Sequence, residues 1–246
     1  MSKQNQKQPR REFLKTAGVL ASASILSEQI KKQSNPRKLE TLAINGGKPA
    51  VTINPPNATK WPLYTDEEIQ AVSELLRNPS YAPIAEFEEA WKKYFDCPFA
   101  KAHCNGTSAL TSILFALDLP PGSEILVPDY STWFPVVPMR FFKYVPVFVD
   151  INPRTLNIDV EDCKKRLSPK TKAIMPVHWY GVPCDMDYIN EFAEEHGLEV
   201  IEDASHAHGS KLKGVLIGKW GRMAGFSLQT TKPLPAIEGG MAMYKN

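Results

Sequence analysis

The chain has 246 residues, 43% hydrophobic, 23% charged and 10% aromatic, which excludes a disordered or collagen-like polymer. No apolar run approaches the roughly 18 residues that an ordinary membrane-spanning helix needs, so no stable membrane span is expected. The formal charge is +2, but residues 1–40 hold nine Lys/Arg against three Asp/Glu. The remainder is therefore net acidic and has no electrostatic reason to bind nucleic acid.

The first forty residues read as a targeting segment and linker. Pro9-Arg10-Arg11-Glu12-Phe13-Leu14-Lys15 precedes a mildly apolar stretch, Thr16 to Leu26, that contains Ala21-Ser22-Ala23. A basic flank, a short apolar core and small residues make a secretory signal. The paired arginines resemble a twin-arginine leader. The expected location is therefore exported or periplasmic, and cytoplasmic if the leader does not function. That export route moves folded proteins, which suits a chain that must load a cofactor first. Residues 27–40 are polar and charged, and the folded part is expected over 41–246.

Thr65-Asp66-Glu67-Glu68 is a capping box that opens a helix to about Arg77. Ile84, Phe87, Trp91 and Tyr94 are expected to share one buried face of a second helix. Leu110, Ile113, Leu114 and Leu117 mark a third. Strands are predicted at Glu124–Val127, Val145–Val149, Ala173–Val177, Leu198–Glu202 and Ala224–Leu228, with helices over 159–167 and 186–196. This alternation predicts an α/β fold with a mostly parallel sheet covered on both faces. Cys97, Cys104, Cys163 and Cys184 form no CxxC pair, so no zinc site is expected and free thiols are.

In such sheets ligands bind beyond the carboxyl ends of the strands. Four segments there carry chemistry. Asn105-Gly106-Thr107-Ser108 opens the third helix, where free amides, the positive end of the helix dipole and hydroxyls make an anion site; Thr107 also reads as a plain N-cap. Trp133 follows a strand and can cover a planar ligand or pack in the core. Asp203 ends another strand, with His206 three residues on, and a buried acid needs a partner. Lys232 follows Ser227, hemmed by proline and glycine, and is a candidate imine-forming amine. A phosphate cradle, an aromatic cover, an acid and a lysine together are what pyridoxal 5′-phosphate (PLP) requires.

In order, Cys104-Asn105-Gly106-Thr107-Ser108-Ala109-Leu110, Val127-Pro128, Thr132-Trp133, Val147-Phe148-Val149-Asp150, His178-Trp179-Tyr180-Gly181, Glu202 through Gly209, Phe226-Ser227, Lys232 and Glu238-Gly239-Gly240 resemble the DegT/DnrJ/EryC1/StrS family. The resemblance runs from about Leu42 to the end. It implies a PLP-dependent sugar aminotransferase of fold type I, a three-layer αβα domain, working as a homodimer. It implies an amino acid donor and a keto-sugar or keto-cyclitol acceptor. By the same resemblance Lys232 is the Schiff-base lysine, Asp203 the pyridinium partner, His206 the residue near the ring hydroxyl and Trp133 the stacking aromatic. Thr107, Ser108 and Ser227 are the phosphate contacts. Related sugar dehydratases carry histidine in place of that lysine, so Lys232 favours amino transfer. Ile237 stands where the family usually has glycine, and Pro233 directly follows the lysine. Family members continue into a C-terminal small domain, so the chain, ending at Asn246, is expected to be truncated.

Two rival readings remain from the residues. One keeps the PLP fold without turnover, as a fragment, sensor or interaction protein. The other, a dinucleotide-binding protein, is disfavoured because no GxGxxG opens a helix in the alternating region.

Overall fold

The computed structural model describes residues 41–51 and 60–245. The leader and the linker, residues 1–40, lie outside these residues. The chain divides into two units at residues 59 and 60. Of the first, the described part is a short 3-10 turn, Ala43–Asn45, ended by Gly46 in the left-handed region.

The second unit holds a seven-stranded sheet in the order β1-β9-β8-β5-β4-β2-β3. The strands are β1 (Phe99–His103), β2 (Glu124–Pro128), β3 (Val145–Val149), β4 (Thr171–Ile174), β5 (Glu199–Asp203), β8 (Met223–Ser227) and β9 (Gly240–Tyr244); β6 (Lys211–Leu212) and β7 (Val215–Leu216) form a separate hairpin. β3, β2, β4, β5 and β8 pair in parallel. β9 runs antiparallel to both β8 and β1. It is the one reversed strand of this sheet, so β1 points the same way as β8. The carboxyl ends of six strands therefore gather at one edge, and the loop from β8 to β9 joins them there.

The helices are α1 (Asp66–Arg77), α2 (Ala82–Phe95), α3 (Gly106–Leu117), α4 (Val160–Arg166) and α5 (Met186–His196). α1 starts at the capping box: the Thr65 hydroxyl accepts from the Glu67 amide and the Glu68 carboxylate accepts from the Thr65 amide. No helix among the described residues is long and apolar enough to cross a membrane.

Alternation along the strands splits the core into two layers. Ile125, Val127, Ala173, Met175, Ile201, Met223 and Ala242 pack with Leu110, Ile113, Leu114 and Leu117 of α3. Leu126, Ile174, Val200, Ala224, Phe226, Met241 and Met243 face the other way, against Trp91 and Phe95 of α2 and against α4 and α5. Gly225 lets α3 come close, because a β-carbon there would lie 2.6 Å from the Leu110 side chain.

Several sequence expectations need correction. On α2 the buried pair is Trp91 and Phe95, rings stacked at 4.9 Å, with Phe87 partly buried behind them. Ile84 and Tyr94 are exposed, because the face runs i, i+4, i+8 and not through Tyr94. β4 ends at Ile174 and not at Val177, because Pro176 has no amide to continue the ladder. The chain stays extended to an isolated bridge between Val177 and Asp203. The N-cap of α3 is Asn105 and not Thr107; its side chain accepts from the Ser108 amide at 2.8 Å. β1 and β9 escaped the sequence reading. Phe-Ala-Lys-Ala-His has no β-branched residue, and β9 opens on glycine. All four cysteines are free; Cys163 and Cys184 are buried, and burial pushes the Cys163 thiol up to about 12.

Candidate active site

A cavity of about 520 Å³ opens at the gathered carboxyl ends. That volume lies within the roughly 300–1,000 Å³ range typical of small-molecule sites. Thr107, Asp203, His206, Ser227 and Lys232 all line it. The elements explain the convergence. Asp203 and Ser227 end β5 and β8 and share the parity of Ile201 and Met223, so both side chains lie on the α3 face.

The first turn of α3 forms one wall. Asn105 caps the Ser108 amide, and the Ala109 amide bonds to the Asn105 carbonyl. The Gly106 and Thr107 amides keep no acceptor among the described residues, which leaves two N–H donors at a helix N-terminus. A β-carbon on Gly106 would sit 2.7 Å from the Ser227 β-carbon. One on Gly240 would sit 2.3 Å from the Asn105 carbonyl oxygen. Both glycines are thus required for α3 to begin so close to the ends of β8 and β9.

Asp203 is only 5% exposed. Its carboxylate accepts the Ser205 amide at 3.1 Å, and it has no salt-bridge partner among the described residues. Lys232 is half-buried in a turn, its amide donating to the Gln229 carbonyl at 2.8 Å. Burial lowers the Lys232 amine below its ordinary value, and the negative charge of Asp203 opposes that fall. His206 is lowered by burial and then by the positive charge of Lys232, again against Asp203. The Nδ1 of His206 accepts the Tyr180 amide at 3.3 Å, and its ring lies against Trp179 with centroids 5.0 Å apart.

Two expected contacts are not brought to the cavity. Trp133 is 64% exposed and stacks on Phe134 at 4.7 Å; Phe134 is the aromatic of the pair that lines the cavity. The carbonyl of Trp133 starts the following turn by accepting the amides of Val136 and Val137, which accompanies its outward placement. The hydroxyl of Ser108 lies 3.2 Å from the Cys104 sulfur and does not line the cavity. Other lining residues had no assigned role in the sequence reading: Ser131, Trp179, Gln229 and Glu238 among them. The buried Ser131 hydroxyl and Trp179 indole nitrogen have no hydrogen-bond partner among the described residues. The position of both after a strand was the available signal.

A profile of the DegT/DnrJ/EryC1/StrS aminotransferase family matches residues 62–246. The chain belongs to this family. It is 42% identical over 158 residues to GDP-perosamine synthase of Caulobacter vibrioides, covering 64% of this chain and 43% of the relative. It is 32% identical over 218 residues to L-glutamine:2-deoxy-scyllo-inosose aminotransferase of Streptomyces kanamyceticus, covering 85% and 50%. Among solved structures, an aminotransferase from Psychrobacter cryohalolentis superimposes with a TM-score of 0.74 at 35% identity, covering 76% of this chain and 49% of that one. The chain spans about half the length of the relatives it matches.

Proposed function

We propose that the protein is a PLP-dependent aminotransferase that moves an amino group from an amino acid to a keto-sugar or keto-cyclitol. The observation that carries this reading is the meeting of Lys232, Asp203 and the α3 N-terminus around one cavity. Support comes from the aminotransferase family, from similar solved structures of a sugar aminotransferase in PLP and PMP forms, and from relatives named as a GDP-perosamine synthase and an L-glutamine:2-deoxy-scyllo-inosose aminotransferase.

The donor set fits the cofactor. The unpartnered Gly106 and Thr107 amides, with the Thr107 and Ser227 hydroxyls, suit a phosphate dianion. The space beside Gly106 is one that a single β-carbon would close. The buried Asp203 carboxylate suits a protonated ring nitrogen, and the orphaned Ser131 hydroxyl and Trp179 indole N–H supply further donors at the wall. When bound, PLP supplies an electron sink for negative charge at the Cα of an amino acid.

The remaining steps belong to side chains of this protein. Asp203 keeps a proton on the ring nitrogen by offering a fixed carboxylate. Burial keeps more of the Lys232 amine unprotonated near neutral pH, so its Nζ can take the donor's Cα proton and return it. His206, held through its Nδ1, orients the polar edge of the ring. The amino donor is glutamate or glutamine, the working form is a homodimer, and residues 1–40 direct export; these last three rest on sequence and family likeness.

The test adds PLP to the full chain and follows a visible absorption band that borohydride traps on Lys232. Glutamate or glutamine should discharge the band, and Lys232→Ala should abolish it together with turnover. Transamination retained by Lys232→Ala overturns the assignment. A band that neither donor discharges supports the rival reading of cofactor binding without turnover.

A further inference from the structure

Glu202 and Asp203 are neighbours on β5 and leave the sheet on opposite faces. Asp203 enters the cavity. Glu202 is fully buried on the other side and does not touch the cavity. Its carboxylate accepts the amides of Gly218 at 2.8 Å, Trp220 at 2.8 Å and Gly221 at 2.6 Å. The fourth partner is the His178 ring at 3.2 Å, also fully buried.

The His178 tautomer follows from its other contact. The Nδ1 accepts the Cys184 amide at 3.0 Å and so carries no proton. The Nε2–H therefore donates to Glu202, and the pair is a neutral imidazole on a carboxylate satisfied by three amides.

This pair stands directly behind the cavity wall. The His178 amide donates to the Asp203 carbonyl at 3.1 Å, and the Asp203 amide donates to the Pro176 carbonyl at 2.9 Å. Because Pro176 interrupts the ladder, these two bonds are the main-chain link between β5 and segment 176–179 at this level. Trp179, the residue after His178, lines the cavity. The loop at 218–221 is pressed against the pair: a β-carbon on Gly221 would lie 2.7 Å from the Val200 carbonyl oxygen and 3.3 Å from the Glu202 side chain.

We propose that Glu202 and His178 are positioning residues that set Asp203 and Trp179 at the cavity wall. The proposal rests on the role given to Asp203 above. Its chemistry makes substitution specific. Four donors converge on Glu202, so a glutamine there must turn its NH2 group toward at least one N–H. A glutamine at His178 keeps a donor for Glu202 and loses the acceptor for the Cys184 amide.

The test needs no cofactor. Lys232 of the full chain is labelled with trinitrobenzenesulfonate across a pH series and quantified by peptide mass spectrometry. The charge of Asp203 raises the Lys232 amine against burial, so a displaced carboxylate lets the amine titrate lower. Asp203→Asn sets the reference shift. Glu202→Gln and His178→Gln should both fold by far-UV circular dichroism and shift the Lys232 titration downward, as Asp203→Asn does. The double variant should shift no further than Glu202→Gln alone. If Glu202→Gln is insoluble, His178→Gln decides, because it leaves the carboxylate and its three amides in place. Folded variants with the wild-type profile overturn the proposal. Loss of folding in both also overturns it, since the pair would then hold the fold and not the site. A missing PLP band in the wild type would refute the proposed function and leave this labelling result interpretable on its own.

Discussion

Gly106→Ala is the sharpest test of how the fold builds the anion wall. On helix propensity alone the change should help, since alanine is favoured over glycine in a helix by up to about 1 kcal/mol. The tertiary contact opposes it. The new β-carbon would meet Ser227 at 2.7 Å from its β-carbon and 3.0 Å from its α-carbon. The latter is backbone of β8 and cannot swing away. Reaching the 3.4 Å of ordinary contact requires the first turn of α3 to back off by several tenths of an ångström. Overpacking of this kind costs about 1–3 kcal/mol, so the net expectation is a loss of about 1 kcal/mol. The same shift moves the Gly106 and Thr107 amides away from Ser227. A hydrogen bond to a charged group contributes about 1.5–3 kcal/mol and about 1.4 kcal/mol is tenfold in affinity, so weakening these two donors is expected to lower PLP affinity about tenfold. Urea unfolding of the full chain measures the first effect, and titration of the visible band measures the second. A variant at least as stable as wild type that binds PLP equally well would refute the close approach of α3 to β8 as the basis of the site.

Two further outcomes follow from local geometry. Burial, and then the charge of Lys232, lowers His208 from its ordinary 6.5 to about 4. Between those values the unfolded chain binds the proton and the folded chain does not, so stability should fall as pH drops from about 6.5 toward about 4. His208→Gln should flatten that part of the stability–pH profile, measured by urea midpoints at several pH values; an unchanged slope would refute the assignment. Ile237 sits at φ +64°, a conformation that a β-branched residue adopts at a cost of about 1–2 kcal/mol. Ile237→Gly gives back about 0.5–1 kcal/mol through the entropy of the unfolded chain. With Ile237 63% exposed, little burial is lost, and a net gain of about 0.5–1 kcal/mol is expected as a higher thermal midpoint; a lower midpoint would contradict the strain.

Ile237 also shows what kind of information the sequence held. Its departure from the glycine usual in the family was visible as a letter, and the structure reports its physical meaning, a left-handed backbone in the loop that carries Lys232. The parallel strands β2 and β3 were legible because they are short apolar runs, Glu-Ile-Leu-Val-Pro and Val-Pro-Val-Phe-Val, and β5 because Val200-Ile201 follow the apolar Leu198 and lead into the acids. α3 was legible because four leucines and isoleucines repeat at the helical period, and all four are buried. β1 and β9 were not, because their pairing is non-local: β1 pairs with β9, β9 lies between β1 and β8, and neither has a strong pattern of its own.

By itself the sequence determined which residue types were available for chemistry and in what order: an N-terminal turn with hydroxyls, an acid, a histidine and a lysine, each just past an apolar run. Chain order and local periodicity are one-dimensional, so they suffice for that. Only the tertiary structure decided that Thr107, Asp203, His206, Ser227 and Lys232 share one cavity while Trp133 and Ser108 do not line it. It alone divided the adjacent acids Glu202 and Asp203 between a buried lock and an open site. The physical reason is the pleat: successive side chains of a strand point to opposite faces, and what each face meets depends on elements distant in sequence.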